Sequence, residues 1–184
     1  SPNRIYVHEK QEKAFLKELH SRVSKLKPGP GIHPDSKIGP LIHAEALEKV
    51  DQQVQDAIIK GAEVITGGSR VMENGLDQGY FYAPTILSKV TEDMIIYREE
   101  TFGPVAPVIT YKDGDDLLKM ANDTHYGLAS YVYTQNLSQA MKLLEGLNFG
   151  IVGINDINPT SAAAPFGGVK ESGIGREGAS EGIQ

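Results

Sequence analysis

The chain contains 184 residues, of which 40% are hydrophobic and 23% are charged, and its formal net charge is −6. This length and composition predict a globular domain with its own core. The lysines and arginines are scattered, so nucleic acid is not expected as a partner, because phosphate binding needs clustered cations. No apolar stretch approaches the length needed to cross a membrane, and a membrane partner is not expected either.

Cysteine is absent from the sequence. Disulfides, thiolate metal ligands and a thiol nucleophile within these residues are therefore excluded. The histidines and aspartates show no ligand spacing, so no metal site is predicted. The absence of cysteine is compatible with a reducing compartment, and we expect a cytoplasmic location.

Hydrophobic periodicity predicts alternating strands and helices in the first part of the chain. Residues 4–7 alternate and are rich in β-forming side chains, which indicates a short strand. Apolar side chains at offsets of four, four and three mark one face of a helix over residues 11–27. A loop rich in proline and glycine follows over residues 28–40, and then a helix over residues 43–60 and a strand over residues 62–66.

The second part of the chain continues the same alternation. Further extended segments are predicted over residues 80–90, 105–111, 128–134 and 149–155, the last of them fully buried. Asp113 is the predicted N-cap of one intervening helix, and Asn136 is the predicted N-cap of another. This order predicts an α/β fold with a mostly parallel sheet, helices on both faces and right-handed crossovers.

Two stretches are candidates for chemistry. Residues 99–105 (E-E-T-F-G-P-V) place two carboxylates and an aromatic ring on a turn that leads into the strand over residues 105–111. Taken alone, this stretch is also what a solvated acidic turn looks like. Residues 165–178 (P-F-G-G-V-K-E-S-G-I-G-R-E-G) interleave glycines with charges and a phenylalanine.

Together the two stretches resemble the aldehyde dehydrogenase superfamily, in which E-E-x-F-G-P-V and P-F-G-G-x-K-x-S-G-x-G-R-E occur in this order. The resemblance runs from residues 2–7 to the end of the chain and implies a catalytic (substrate) domain fragment over residues 1–184. It also implies that the dinucleotide-binding domain, the nucleophilic cysteine and a final oligomerisation strand lie outside these residues. No catalytic residue is assigned within the chain, and we expect the chain alone to be inactive on aldehydes.

The resemblance assigns site residues and a cofactor. It implies that Glu100 accepts hydrogen bonds from the nicotinamide ribose hydroxyls and that Phe102 packs near the nicotinamide of NAD or NADP. A carboxylate suits the first role because it accepts two hydroxyl donors at once. Thr160 and Ser161, in the loop after the last strand, are the candidates for aldehyde contact, although a plain surface loop is an equal interpretation. Among the charged residues of the glycine-rich stretch, Arg176 is expected to hold domain or subunit contacts, as are Lys170 and Glu177.

The substrate prediction is less specific. Residues 173–183 resemble succinate-semialdehyde dehydrogenases, whereas the loop over residues 156–161 departs from that group. The predicted function is therefore part of an NAD(P)-dependent enzyme that oxidises a small aldehyde, with succinate semialdehyde as first candidate, through a cysteine thioester. Glycolaldehyde or lactaldehyde oxidation is the alternative, and a non-catalytic dimerisation or scaffold module is a third. The whole protein is expected to be a homodimer or homotetramer.

Overall fold

A computed structural model describes residues 2–180 and 182–183. The chain divides into two compact units, Ser1–Asp115 and Asp116–Gln184. The assignment of residues 1–184 to one catalytic domain stays a prediction. Among the described residues, no helix has both the length and the apolar surface that crossing a bilayer requires.

The first unit is built on a four-stranded sheet. Its elements in chain order are β1 (Ile5–His8), α1 (Glu9–Val23), α2 (Ala44–Ile59), β2 (Glu63–Thr66), a 3-10 turn (Leu76–Gln78), β3 (Thr85–Ser88), α3 (Ile95–Arg98) and β4 (Val105–Tyr111). The strand order is β1-β4-β3-β2. Strands β1 and β3 pair parallel with β4, and β2 pairs antiparallel with β3 at the edge.

The two central strands of this sheet, β3 and β4, carry buried side chains on both faces. On one face Val7, Ile86 and Val108 form a cluster, and apolar side chains of α1, among them Phe15 and Leu19, pack against it. Leu87 and Ile109 follow Ile86 and Val108 in the chain and so point to the opposite face, where they are also buried. Neither face of the two central strands is therefore open to solvent.

Helix α2 is joined to α3 by a side-chain cap. The backbone N–H of Ile95 donates to Oδ2 of Asp56 at 2.8 Å. Lys60 donates to the other oxygen of Asp56 at 2.7 Å and to the carbonyl of Asp93 at 2.6 Å. Although desolvation raises the pKa of Asp56, the hydrogen bonds from Lys60 and Ile95 outweigh it and hold this pKa below its ordinary value. The carboxylate of α2 thus fixes the start of the segment that leads to the acidic motif.

Replacing Asp56 by Ala should lower the free energy of unfolding by about 1 kcal/mol at pH 7, as expected for loss of a helix cap. Because the folded pKa is lowered, the stabilising effect of Asp56 is present above the unfolded pKa and disappears as the pH falls through the folded value. Urea denaturation at pH 7 and pH 3 measures this. The control is Asp56→Asn, which keeps an acceptor for Ile95. If Asp56→Ala lowers the free energy of unfolding equally at both pH values, the electrostatic explanation is contradicted.

The second unit contains a two-stranded parallel sheet. Its elements are α4 (Leu117–Asn122), β5 (Ala129–Val132), α5 (Leu137–Gly146), β6 (Ile151–Ile154) and a 3-10 turn (Lys170–Ser172). Strands β5 and β6 pair parallel, with Ala129 opposite Ile151. Asn136 caps α5 by accepting the N–H of Gln139 at 3.0 Å, as predicted. The crossover from β5 to β6 through α5 is the βαβ connection that parallel strands require.

The α/β fold class is confirmed, since most strand pairs in the described residues are parallel. Two details of the prediction are wrong. The N-cap of α4 is Asp116 and not Asp113, because Asp113 instead accepts hydrogen bonds from His8 and Lys10 of the first unit. The last strand is not fully buried: in β6 only Gly153 is buried, since a two-stranded sheet offers less cover than the larger sheet that an apolar run suggests.

Candidate functional site

The acidic loop, residues 99–104, connects α3 to β4 and is anchored at both ends. The N–H of Glu99 donates to the carbonyl of Ile95 at 2.9 Å and ends α3. At the other end the carbonyl of Pro104 accepts the N–H of Thr85 at 2.8 Å, at the start of β3. Sequence and structure agree here, because Gly103-Pro104 is a strong turn signal ahead of an apolar strand.

Side chains in the acidic loop alternate between interior and solvent. Thr101 is 5% exposed and Phe102 is 80% exposed, and Glu100 is also exposed. The φ angle of Phe102 is 48°, a left-handed backbone conformation that residues other than glycine seldom adopt. A bulky aromatic side chain that is held in this conformation and faces solvent favours a ligand-binding role over a packing role.

The carboxylate of Glu100 is available for a ligand. Within the part of the chain that the structure describes, no hydrogen bond or ion pair engages the side chain of Glu100. An ionised carboxylate has acceptor sites for two hydroxyl groups at once. The acidic loop therefore presents an unpaired double acceptor beside an exposed aromatic face.

Two hydrogen bonds of Asn155 fix the start of the loop that follows β6. Oδ1 of Asn155 accepts the N–H of Thr134 at 3.0 Å, and Nδ2 of Asn155 donates to the carbonyl of Thr134 at 2.9 Å. Asn155 has a φ of 53°, which asparagine tolerates better than most residues. This pair extends the contact between β5 and β6 by one residue and sets the direction in which residues 156–164 leave the sheet.

The two predicted substrate residues differ in the hydrogen bonds that their hydroxyls make. Thr160 donates its hydroxyl proton to Oδ1 of Asn158 at 2.7 Å. Oγ of Ser161 accepts the N–H of Ala163 at 3.3 Å, and accepting leaves its own proton free to donate. Both residues are exposed, but of the two only Ser161 has a donor that is not used within the loop.

An open hollow of about 370 Å³ brings these residues together; its lining residues are Thr160, Ser161, Ala162, Ala164, Phe166, Glu177 and Gly178. Part of the lining is a short antiparallel bridge. The N–H of Phe166 donates to the carbonyl of Glu177 at 2.7 Å, and the N–H of Glu177 donates back at 2.8 Å. The loop after β6 and the glycine-rich stretch therefore line the same hollow within the second unit.

A guanidinium holds the glycine-rich stretch in shape. Nη1 of Arg176 donates to the carbonyls of Gly168, Ile174 and Gly175 at 2.8, 3.0 and 2.9 Å. Sequence reasoning expected domain or subunit contacts for Arg176 and missed this role. The signal is available, since a glycine-rich turn leaves carbonyls without partners and an arginine carries five donors.

Glycines bring the backbone of this stretch close to β6. A Cβ on Gly150 would lie 1.9 Å from the carbonyl oxygen of Gly167, and a Cβ on Gly167 would lie 2.2 Å from the carbonyl oxygen of Gly175. Lys170 donates to the carbonyls of Asn122 and Thr124 at 3.3 and 3.2 Å. The two close approaches leave no room for a side chain at Gly150 or Gly167.

The predicted site residues fall into two pairs. Glu100 and Phe102 lie in the first unit, and Thr160 and Ser161 lie in the second unit, where they share the hollow. Among the described residues, no group of three or more His, Asp or Glu side chains is arranged to hold a metal ion.

The sequence model of the aldehyde dehydrogenase family matches residues 1–184. The chain belongs to the aldehyde dehydrogenase family. Among curated aldehyde dehydrogenases it is 46% identical to a probable succinate-semialdehyde dehydrogenase [NADP(+)] from Sinorhizobium fredii, over 100% of this chain and 37% of the relative. It is 43% identical to a glutarate-semialdehyde dehydrogenase from Pseudomonas putida, over 99% of this chain and 37% of the relative.

Solved aldehyde dehydrogenase structures agree with the fold. The succinate-semialdehyde dehydrogenase from Burkholderia pseudomallei matches with a TM-score of 0.92 and 43% identity, over 98% of this chain and 37% of that structure. An NAD+ complex of an aldehyde dehydrogenase from Bacillus cereus matches with a TM-score of 0.89 and 38% identity, over 98% and 36%. The chain thus spans little more than a third of the length of these relatives.

Proposed function

We propose that the chain is the part of an NAD(P)-dependent aldehyde dehydrogenase that binds the nicotinamide end of the cofactor and shapes the aldehyde pocket. The observation that carries this proposal is the acidic loop, in which buried Thr101 directs Glu100 and Phe102 to solvent. An exposed aromatic ring on a left-handed backbone is typical of a contact site, and the unpaired carboxylate of Glu100 beside it in the sequence favours a small polar ligand.

The residues of the acidic loop fit a nicotinamide riboside. The unpaired carboxylate of Glu100 would accept hydrogen bonds from both ribose hydroxyls, and the ring of Phe102 would supply an apolar wall that excludes water. When bound, the cofactor supplies a hydride acceptor. The work of these two side chains is orientation, since neither carries a proton that the oxidation needs to move.

The nucleophile must come from outside these 184 residues, because the chain has no thiol and a cysteine forms the covalent bond in the proposed chemistry. A non-catalytic scaffold module is the second candidate function, and the absence of cysteine favours it. The two candidates differ in what the chain does when it is joined to a nucleophile, which an experiment can supply.

A hybrid enzyme tests the proposal. In this hybrid enzyme, the chain replaces the matching 37% of the succinate-semialdehyde dehydrogenase from Burkholderia pseudomallei. We expect aldehyde-dependent NAD(P)H formation by the hybrid enzyme and none by the 184-residue chain alone. A hybrid that folds and assembles as a homodimer or homotetramer but stays inactive would favour the scaffold function.

The proposal includes a cytoplasmic location, which fractionation of the source cells checks.

Aldehydes with an anionic far end are the proposed substrate class. Two relatives are a probable succinate-semialdehyde dehydrogenase and a glutarate-semialdehyde dehydrogenase, and both of these aldehydes carry a carboxylate at the far end. Ser161 lines the hollow, and its free hydroxyl donor is suited to such a group. Succinate semialdehyde is our first choice, and glycolaldehyde or lactaldehyde is the alternative.

Replacing Ser161 by Ala in the hybrid enzyme should raise the KM for succinate semialdehyde about fivefold, which corresponds to roughly 1 kcal/mol for an exposed hydrogen bond to a charged group. The KM for butanal, which lacks the carboxylate, should not change. Thr160→Val is the matched control, because the Thr160 proton is already donated to Asn158. An equal rise for both aldehydes would show that Ser161 shapes the loop and does not recognise the carboxylate.

A further inference from the structure

Helix α2 runs alongside the segment that carries the acidic loop, and two contacts fix how they lie. At one end Ile95 donates to Asp56 at 2.8 Å. At the other end the backbone of Gly103 lies against Val50, since a Cβ on Gly103 would be 2.6 Å from Cγ2 of Val50. The chain direction is therefore opposite in the two elements, and the two contacts are about 9 Å apart along the helix axis.

Gln53 lies midway between these contacts on α2. It is three residues after Val50 and three before Asp56, and steps of three keep the side chains on one side of a helix. Gln53 is 2% exposed, and neither Oε1 nor Nε2 has a hydrogen-bond partner among the described residues. Gln53 therefore lies on the side of α2 that carries both contacts with the segment between Ile95 and Gly103.

Thr101, in the segment between Ile95 and Gly103, is a second buried polar residue without a partner among the described residues. Its side chain is 5% exposed and its Oγ1 has no hydrogen-bond partner among the described residues. The hydroxyl of Tyr97, another buried residue of the segment, is already bonded to the hydroxyl of Tyr6 at 2.9 Å. Buried amides and hydroxyls without partners are rare in native proteins, and an ordered water commonly satisfies them.

We propose that Gln53 and Thr101 bind one water between them and that Gln53 is thereby a positioning residue for Glu100 and Phe102. The amide of Gln53 donates to the water, and the water donates to Oγ1 of Thr101. Because Thr101 lies between Glu100 and Phe102, fixing its side chain inward fixes both neighbours toward solvent. The functional meaning of this inference rests on the proposed function, whereas the water itself does not.

The first test detects the water in the 184-residue chain by NMR. A cross-peak between water and the side-chain N–H protons of Gln53 is expected. The sign of this cross-peak should be that of a water molecule bound for a long time, and Thr101→Val should abolish the cross-peak. The matched control is Thr110→Val, which removes another buried hydroxyl that lacks a partner among the described residues of the same unit. No cross-peak in the unmodified chain, or a cross-peak that survives Thr101→Val, would overturn the proposal.

The second test measures the order of the acidic loop. The backbone order parameter of Phe102 should fall from about 0.85 to below about 0.6 in Gln53→Leu and in Thr101→Val. The double variant should fall no further than either single variant, because both remove the same bridge. Additive losses, or an unchanged value in both variants, would overturn the proposal. If Gln53→Leu does not fold, Thr101→Val against Thr110→Val decides the question.

Failure of this inference and failure of the proposed function are distinguishable. Neither NMR test contains cofactor, so the water and the loop order are decided without any assumption about NAD(P). In the hybrid enzyme, Gln53→Leu should weaken NAD(P) binding about fivefold while the KM for the aldehyde stays unchanged, and a merely structural role would shift both. If Glu100→Gln leaves cofactor binding unchanged, the proposed function fails and the bridging water is unaffected.

Discussion

Replacing Glu100 by Gln is expected to weaken NAD(P) binding by the hybrid enzyme between about 10-fold and 150-fold, the range for loss of a hydrogen bond to a charged group. The carboxylate has no partner among the described residues, so none of their groups competes with a ligand for its oxygens. The neutral amide keeps the size of the side chain but offers a single acceptor oxygen. Titration of the cofactor against the purified variant measures the effect.

Glu99→Gln is the matched control for this prediction. Glu99 is the adjacent residue, is exposed like Glu100 and carries the same charge, so its replacement changes the net charge of the acidic loop equally. We expect less than about a twofold change in cofactor affinity, as for an exposed residue without a partner. Equal effects of the two variants would mean that the loop acts through its total charge, and the specific role of Glu100 would be wrong.

Replacing Gly150 by Ala is expected to destabilise the second unit by about 3 kcal/mol or more, the upper range for overpacking. The new Cβ would lie 1.9 Å from the carbonyl oxygen of Gly167 and 2.9 Å from Cα of Gly168. Both are backbone atoms, so no side-chain rotation relieves the contact, and the glycine-rich stretch must move away from β6. Faster amide exchange in Ile151–Ile154 reports this loss.

Gly175→Ala is the control in the same stretch. A Cβ at Gly175 would meet no atom within 4 Å, so we expect a change in unfolding free energy within about 0.5 kcal/mol. The comparison separates the close approach at Gly150 from any general effect of alanine in a glycine-rich sequence. Similar destabilisation by both substitutions would show that the approach of the backbone is not the reason for Gly150.

The elements of the fold were largely predictable because their signals are local. The stripe of Phe15 and Leu19 gave α1, and the run of residues 105–111 gave β4. The features that could not be predicted depend on partners that are distant in the sequence. Aspartate is a common helix cap, which is why Asp113 was predicted as one. Its partners are instead His8 and Lys10, about a hundred residues earlier in the chain, and no local sequence pattern predicts such a contact.

The residues of the candidate site that belong to the two sequence motifs could be predicted. Residues that matter only through their position in the folded chain could not. Glu100 and Phe102 come from the first motif, and the structure adds that a buried Thr101 separates them. Gln53 could not be selected from sequence, since a polar residue on a helix is usually exposed. Only its burial without a partner among the described residues shows that it is unusual.

The clamp of Arg176 on the carbonyls of Gly168, Ile174 and Gly175 contains no group that titrates near neutral pH. An ion pair in the same place would weaken as the pH falls or as salt is added. Hydrogen bonds from a permanent cation to neutral carbonyls depend less than an ion pair does on pH and on salt. The backbone at Gly168, Ile174 and Gly175 should therefore keep its shape in acid and at high salt.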